Sequence, residues 1–322
     1  MAPQLLEALD AAIRRLPEYH EMMPILKAKY AAVQAGFGGE QELDKVFERY
    51  AFSMEYGVFH DVSLVSSTLF QVDTLLVTPW YAVLFEVKNI AGELMVTANP
   101  PQLIRKSDSG QLSGFKSPIA QLESNCELFE DWLNNRGLSL PVYGAVVLAY
   151  AKQRIEVFDT EVPILFPHAV PTFIRKLPTG SLMLDNQAFR GLLNSLKKCH
   201  RPFIPAPICS TYAISKQDIR TGVICPGCGG FGMEKYSGGW RCLSCGKTSR
   251  KAHEQAIRDW FLLFGGEMRN KDCRTFLHVD RQQTAHRLLV SMELQTKGTY
   301  RDRVYKNPDA TLKLGLSELG EL

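Results

Sequence analysis

The sequence lacks any apolar run long enough to cross a bilayer: its most apolar stretch, roughly Val142 to Ala151, is about half of what a membrane helix needs. It also lacks a net charge of consequence. The 37 Lys and Arg face 34 Asp and Glu and leave +3, so the whole-chain balance names no polyanionic partner. No internal repeat and no low-complexity tract is present, which argues against a solenoid or a disordered array. The opening residues Met-Ala-Pro-Gln-Leu-Leu-Glu-Ala-Leu-Asp have neither the basic start nor the unbroken apolar core of a secretion signal. A cytoplasmic location without a membrane partner is therefore expected. The histidines are dispersed and form no metal or nucleophile pattern with their neighbours.

What is present is a chain of 322 residues with 45% hydrophobic and 22% charged side chains, an ordinary globular composition with room for about two domains. In a reducing compartment, clustered cysteines read as metal ligands and scattered ones as small buried hydrophobes. Cys225, Cys228, Cys242 and Cys245 are clustered; Cys126, Cys199, Cys209 and Cys273 are scattered. Charge is distributed unevenly: residues 212–306 hold 17 basic and 9 acidic side chains, an excess of eight, whereas residues 1–211 hold 19 and 22. The basic excess lies with the cysteine cluster, where a nucleic-acid contact is the natural consequence.

Hydrophobic spacing predicts a helical region over 4–34 with a break at Pro17, ended by Gly36-Phe37-Gly38-Gly39, and a second helix from Glu40 to about Phe52 opened by that glycine turn. Segments 56–65, 69–78 and 81–90, rich in Val, Phe, Leu and Tyr, read as an antiparallel meander. Residues 91–117, dense in Gly, Ser, Pro and Asn, read as a long irregular loop. A helix follows from Pro118 to about Asn135, then a central strand over 142–151, a short strand near 162–166 and a helix over about 186–198. Arg201-Pro-Phe-Ile-Pro-Ala-Pro207 is a natural domain boundary.

The second and third strands of the meander carry Asp73 and Glu86-Val87-Lys88. Alternation puts Glu86 and Lys88 on one face and Val87 on the other. Two acids and an amine that converge suit metal-dependent phosphodiester hydrolysis, in which carboxylates hold a hard cation such as Mg2+ and the lysine orients water or stabilises developing charge. The plain alternative is a Glu86 and Lys88 on the solvated face of an edge strand. Against it, Val83, Leu84, Phe85 and Val87 surround them with apolar residues, where an unpaired charge costs several kcal/mol.

Gly38-Gly39-Glu40, Gln71-Val72-Asp73, Phe85-Glu86-Val87-Lys88-Asn89 with Gly92 following, and Ser117-Pro118-Ile119-Ala120-Gln121 resemble, in order, the motifs of the NERD (nuclease-related) domain. That family belongs to the PD-(D/E)xK restriction-endonuclease-like superfamily, and the resemblance covers roughly residues 36–150. It implies an α/β fold with a mixed sheet flanked by helices. By position it implies a metal or water contact for Glu40, metal binding by Asp73 and Glu86, the catalytic lysine role for Lys88, and a place near the phosphate for Gln121. Val72 stands where the superfamily's nominal proline would be. The cofactor implied is Mg2+ or Mn2+, and the partner is nucleic acid, most naturally DNA. Restriction-like nucleases often dimerise, but nothing in the residues fixes a homodimer.

Cys225-Pro-Gly-Cys228-Gly and Cys242-Leu-Ser-Cys245-Gly are two C-x2-C knuckles that complete a tetrahedral, structural Zn2+ site, a zinc ribbon with 230–241 as the hairpin between them. A redox C-x-x-C is the alternative, and two copies in tandem oppose it. Trp240, Arg241 and Lys247 are candidates for stacking and phosphate contacts. Helices are expected over 251–264, 270–278 and 281–293, with Arg281 and Arg287 outward on the third, followed by a basic β-ribbon bearing Arg301, Arg303 and Lys306. This order resembles a winged helix whose third helix enters a major groove; a helical packing domain with a solvated charged face is the alternative. The expected organisation is an N-terminal helical extension (1–35), nuclease domain (36–205), linker (206–222), zinc ribbon (223–249), basic winged-helix-like module (250–310) and tail (311–322). The expected activity is DNA hydrolysis by metal-activated water, with foreign-DNA defence or repair as an extension. The rival readings are a non-catalytic nucleic-acid-binding protein and an RNA nuclease.

Overall fold

The computed structural model describes residues 3–107, 109–150, 154–299 and 302–307. Two helices open the chain, α1 (Gln4–Arg15) and α2 (Met23–Arg49). The chain divides into two compact units, one of residues 1–33 with 204–311 and one of residues 34–203 with 312–322.

In the unit built on 34–203, β1 (Gly57–Val65), β2 (Leu69–Val77) and β3 (Ala82–Lys88) form the expected meander. Thr78 closes the β2–β3 turn, its Oγ1 accepting the N–H of Tyr81 at 3.0 Å. The expected loop over 91–117 is instead three strands, β4 (Glu93–Ala98), β5 (Pro101–Lys106) and β6 (Leu112–Lys116). The Pro, Gly and Ser content that favoured a loop is spent on hairpin turns, while Leu94, Val96 and Leu103 alternate inward and are buried. α3 (Pro118–Asn134) follows, its N-cap Ser117 accepting the Ala120 N–H. The remaining elements are β7 (Val142–Leu148), β8 (Ile155–Phe158), β9 (Ile164–Leu165), α4 (Val170–Lys176) and α5 (Asn186–Cys199).

The central sheet runs β1-β2-β3-β7-β9, antiparallel at β1-β2-β3 and parallel at β3-β7-β9; a smaller sheet runs β6-β5-β4-β8. One face of the central sheet packs Leu75, Leu84 and Val146 with α3 and α5, through Leu122, Phe129, Phe189 and Leu192. The other packs Leu76, Val83 and Phe85 with α2 and α4, through Leu43, Val46, Val170 and Ile174. The result is a mixed sheet between helical layers.

The glycine stretch does not end a helix. α2 continues through Gly36, Gly38 and Gly39, and a Cβ at Gly39 would lie 2.7 Å from Asn89 Cβ and 3.3 Å from Ala149 Cβ. Tertiary close approach, and not a turn, explains glycine at position 39.

The unit of 1–33 and 204–311 contains α1, the first part of α2, α6 (Ile208–Thr211), β10 (Glu234–Tyr236), β11 (Gly239–Arg241), β12 (Thr248–Ser249), α7 (Ala252–Phe264), β13 (Met268–Arg269), α8 (Asn270–Leu277), α9 (Gln282–Val290), β14 (Gln295–Lys297) and β15 (Val304–Lys306). Strands β13-β15-β14 form one sheet, with β13 between α7 and α8 and the β14–β15 hairpin after α9. One core joins Leu9, Ala12, Cys225, Trp240, Ile257, Leu263, Leu289 and Tyr305. Arg15, fully buried, donates from Nε to Asp259 Oδ2 at 2.8 Å and from Nη1 to the carbonyls of Arg220 and Gly222, fixing α1 to α7. Among the described residues, no helix is long and apolar enough to cross a membrane.

Candidate functional site

Glu86 and Lys88 share a face of β3, as alternation requires, and Glu86 is only 2% exposed. Lys88 Nζ donates to Glu86 Oε1, and also to Gln121 Oε1 at 3.3 Å from the first turn of α3. Asp73 lies one residue before the last paired β2–β3 rung, Thr74↔Phe85, while Glu86 follows Phe85, so the two acids face each other across the strands. Asp73 Oδ2 accepts the Val87 N–H at 2.8 Å. Asp73, Glu86, Lys88 and Gln121 are thus brought together by β2, β3 and the first turn of α3.

Alternation reverses at Asp73. Val72 and Leu75 both enter the core under α3 and α5, and on β1 Phe59 and Val62 do the same. Asp61, between the latter two, has φ 52°, and no rung joins it to Asp73 although His60↔Thr74 and Val62↔Val72 flank the position. Gln71 Nε2 donates to Asp61 Oδ1 at 2.5 Å. Asp61 thus joins the acidic group from the β1 side. The sequence reading missed it, because a lone Asp in a strand gives no signal until register sets it opposite Asp73.

Acids crowd one another here. Burial, followed by Asp73, Asp61, Asp44 and Glu86, pushes the Glu40 carboxyl up to about 8. Burial and then Asp73 raise Glu86 to about 7 against the pull of Lys88. Burial likewise raises Asp73, opposed by the Val87 N–H and by Lys88. Four carboxyls against one lysine form an all-oxygen donor set that favours a hard divalent cation. Their oxygens are not drawn together as a finished cage, however. Among the described residues, only the four cysteines form a group of three or more potential ligands with donor atoms all within 4.8 Å.

Those cysteines fit a tetrahedral metal. With metal–sulfur arms of about 2.3 Å, ligand edges should be about 3.8 Å; Cys225 Sγ lies 3.7 Å from Cys245 Sγ, and Cys228 Sγ lies 3.6 Å from Cys242 Sγ. Neither pair is a disulfide. Backbone N–H groups turn toward the sulfurs, that of Gly227 reaching Cys225 Sγ at 3.3 Å, and the Cys245 N–H leads in holding the Cys242 thiol down at about 6. Four thiolates around one ion would leave no coordination position for a substrate.

The expected nucleic-acid contacts fare differently. Trp240 is fully buried: its indole N–H donates to His253 Nδ1 at 3.2 Å and its ring stacks on that imidazole. A base cannot stack on it, which corrects the reading that offered it as a platform; the apolar ring is consumed by the core. Arg241 and Lys247 are exposed, as are Arg281, the N-cap of α9, and Arg287 within that helix. Lys306 is held by Glu267 at 3.0 Å and Arg303 is half-buried, so neither is freely presented. Arg301 lies outside the described residues.

Residues 35–149 match the model of the NERD family, described as a nuclease-related domain. That segment contains Glu40, Asp61, Asp73, Glu86, Lys88 and Gln121, and over it the chain is similar to nuclease-related domains. No curated protein and no solved structure matches the chain.

Proposed function

We propose that the protein is a metal-dependent nuclease that hydrolyses phosphodiester bonds of DNA, with a zinc-held ribbon and a winged helix that bind nucleic acid. The observation that carries this reading is the buried Glu86, bonded to Lys88 and facing Asp73 inside a segment that matches a nuclease-related domain. A magnesium or manganese ion held by Asp73 and Glu86 would polarise the phosphate and acidify a water. Lys88, kept in line by Gln121 and Glu86, would orient the attacking water or stabilise the negative charge that develops on the phosphorane oxygens. Glu40, whose carboxyl adjoins Asp73 and Glu86, would contact the metal or its water.

The test is cleavage of plasmid, linear duplex, single-stranded DNA and RNA by purified protein with Mg2+ or Mn2+. Glu86→Gln and Lys88→Ala should each lower the rate by a factor on the order of a hundred or more, with the far-ultraviolet circular dichroism spectrum showing that both variants stay folded. Full activity in both variants refutes the assignment. Among the described residues the carboxylate oxygens do not close into a cage, which leaves a second reading, a DNA-binding protein that uses the nuclease fold as a scaffold. Binding in EDTA with no cleavage under any divalent ion would select it.

A further inference from the structure

The arm β4–β5–β6 lies in the chain between Lys88 and Gln121, and its buried residues pack on Leu148, the rung partner of Lys88, and on Ile119, two residues before Gln121. Register puts Leu94, Leu103, Arg105 and Phe115 on one face of the arm, with Leu94 opposite Arg105 and Leu103 opposite Phe115. Leu94, Val96 and Leu103 pack on Ile119 of α3 and on Leu148. Phe115 stands outside this core and is 40% exposed.

Arg105 is held between two surfaces. Its stem lies across Gly92, where an added Cβ would meet Arg105 Cγ at 3.2 Å and the Lys106 carbonyl at 2.7 Å. Its guanidinium sits over the Phe115 ring, 5.5 Å from the centroid. Arg105 Nε is buried and has no hydrogen-bond partner among the described residues. A guanidinium fixed in this way presents its outer N–H groups to a phosphate, and the half-open Phe115 ring offers its uncovered part to the adjoining base.

We propose that Arg105 and Phe115 bind the nucleic-acid strand beside the carboxylates, Arg105 taking a phosphate oxygen and Phe115 stacking a base, so that the substrate is single-stranded or frayed. In an intact duplex the faces of the bases are covered by their neighbours, so a protein ring gains no base to stack on. This rests on the nuclease reading for its substrate, but binding tests it without cleavage.

The experiment measures fluorescence anisotropy of the full chain in EDTA, with a labelled single-stranded oligonucleotide and a blunt hairpin duplex. Phe115→Ala should weaken single-strand binding at least about fivefold and leave hairpin binding within about twofold; Phe115→Tyr should retain native affinity. Arg105→Ala should reduce the slope of log affinity against log salt by about 0.7, the single-strand value for one phosphate, and Arg105→Lys should not restore the stacking part. Unchanged single-strand affinity in both alanine variants, or equal losses on both probes, overturns the proposal. A native chain that never cleaves, yet loses single-strand affinity in Phe115→Ala, retains this inference and loses hydrolysis. Intact cleavage with unchanged binding does the reverse.

Discussion

Three glycines in one helix should respond to alanine with opposite signs. Gly36 and Gly38 have nothing within 4 Å of an added Cβ, so alanine there should stabilise by about 0.8–1.0 kcal/mol through helix propensity. Gly39 differs: its Cβ would lie 2.7 Å from Asn89 Cβ and 3.3 Å from Ala149 Cβ. Both atoms are bonded directly to backbone, at the ends of β3 and β7, where Ala149 N–H donates to the Lys88 carbonyl at 3.0 Å. No flexible side-chain end is available to yield, so α2 must move outward. Overpacking of this kind costs roughly 1–3 kcal/mol, more than the propensity gain. Asn89 Nδ2 also donates to the Ala35 carbonyl at 2.7 Å, a bond that the same movement stretches. In thermal melts, Gly36→Ala and Gly38→Ala should raise the transition by about 2–4 °C, while Gly39→Ala lowers it. Because Glu40 is the next residue, Gly39→Ala should also lose most cleavage activity, with Gly38→Ala near native. A Gly39→Ala protein as stable as Gly38→Ala would refute the close approach. Destabilisation by all three would refute the continuous helix.

Metal analysis should find one zinc per chain. Because Cys225, Met233, Trp240 and Cys242 share a core with α7 and α9, chelation or Cys242→Ser should lower the melting temperature of that whole unit, not of the ribbon alone; a melt insensitive to chelation counts against a structural metal. Burial leads in lowering the His253 pKa, and its Nδ1 already accepts the Trp240 N–H, so the folded state refuses a proton that the unfolded chain takes below about pH 6.5. Urea midpoints should therefore fall as pH drops below that point, and His253→Gln should flatten the dependence; an equal slope in the variant removes His253 as its source. At α9, Arg281→Ala with Arg287→Ala should weaken duplex binding and reduce the salt slope by about 0.9 per contact, as measured by titration at several salt concentrations; an unchanged slope excludes the helix as the groove contact.

Local pattern determined much of this protein. Apolar alternation defined β1, β2 and β3, Pro118 marked the start of α3, and the two C-x2-C knuckles marked the sulfur cluster, because each is a short-range rule of backbone geometry or ligand spacing. Glu86 and Lys88 were legible for the same reason, as two positions of one strand face. Tertiary structure decided the rest. Whether Gly36 to Gly39 form a turn or a helix depends on the strand ends that α2 approaches, and whether 93–116 is a loop or an arm depends on Ile119 and Leu148 beneath it. Asp61 entered the acidic group only through its register with Asp73, and Trp240 left the nucleic-acid surface only through its burial against His253. A single residue's neighbours in the chain cannot encode these outcomes, since the groups that impose them lie many residues away.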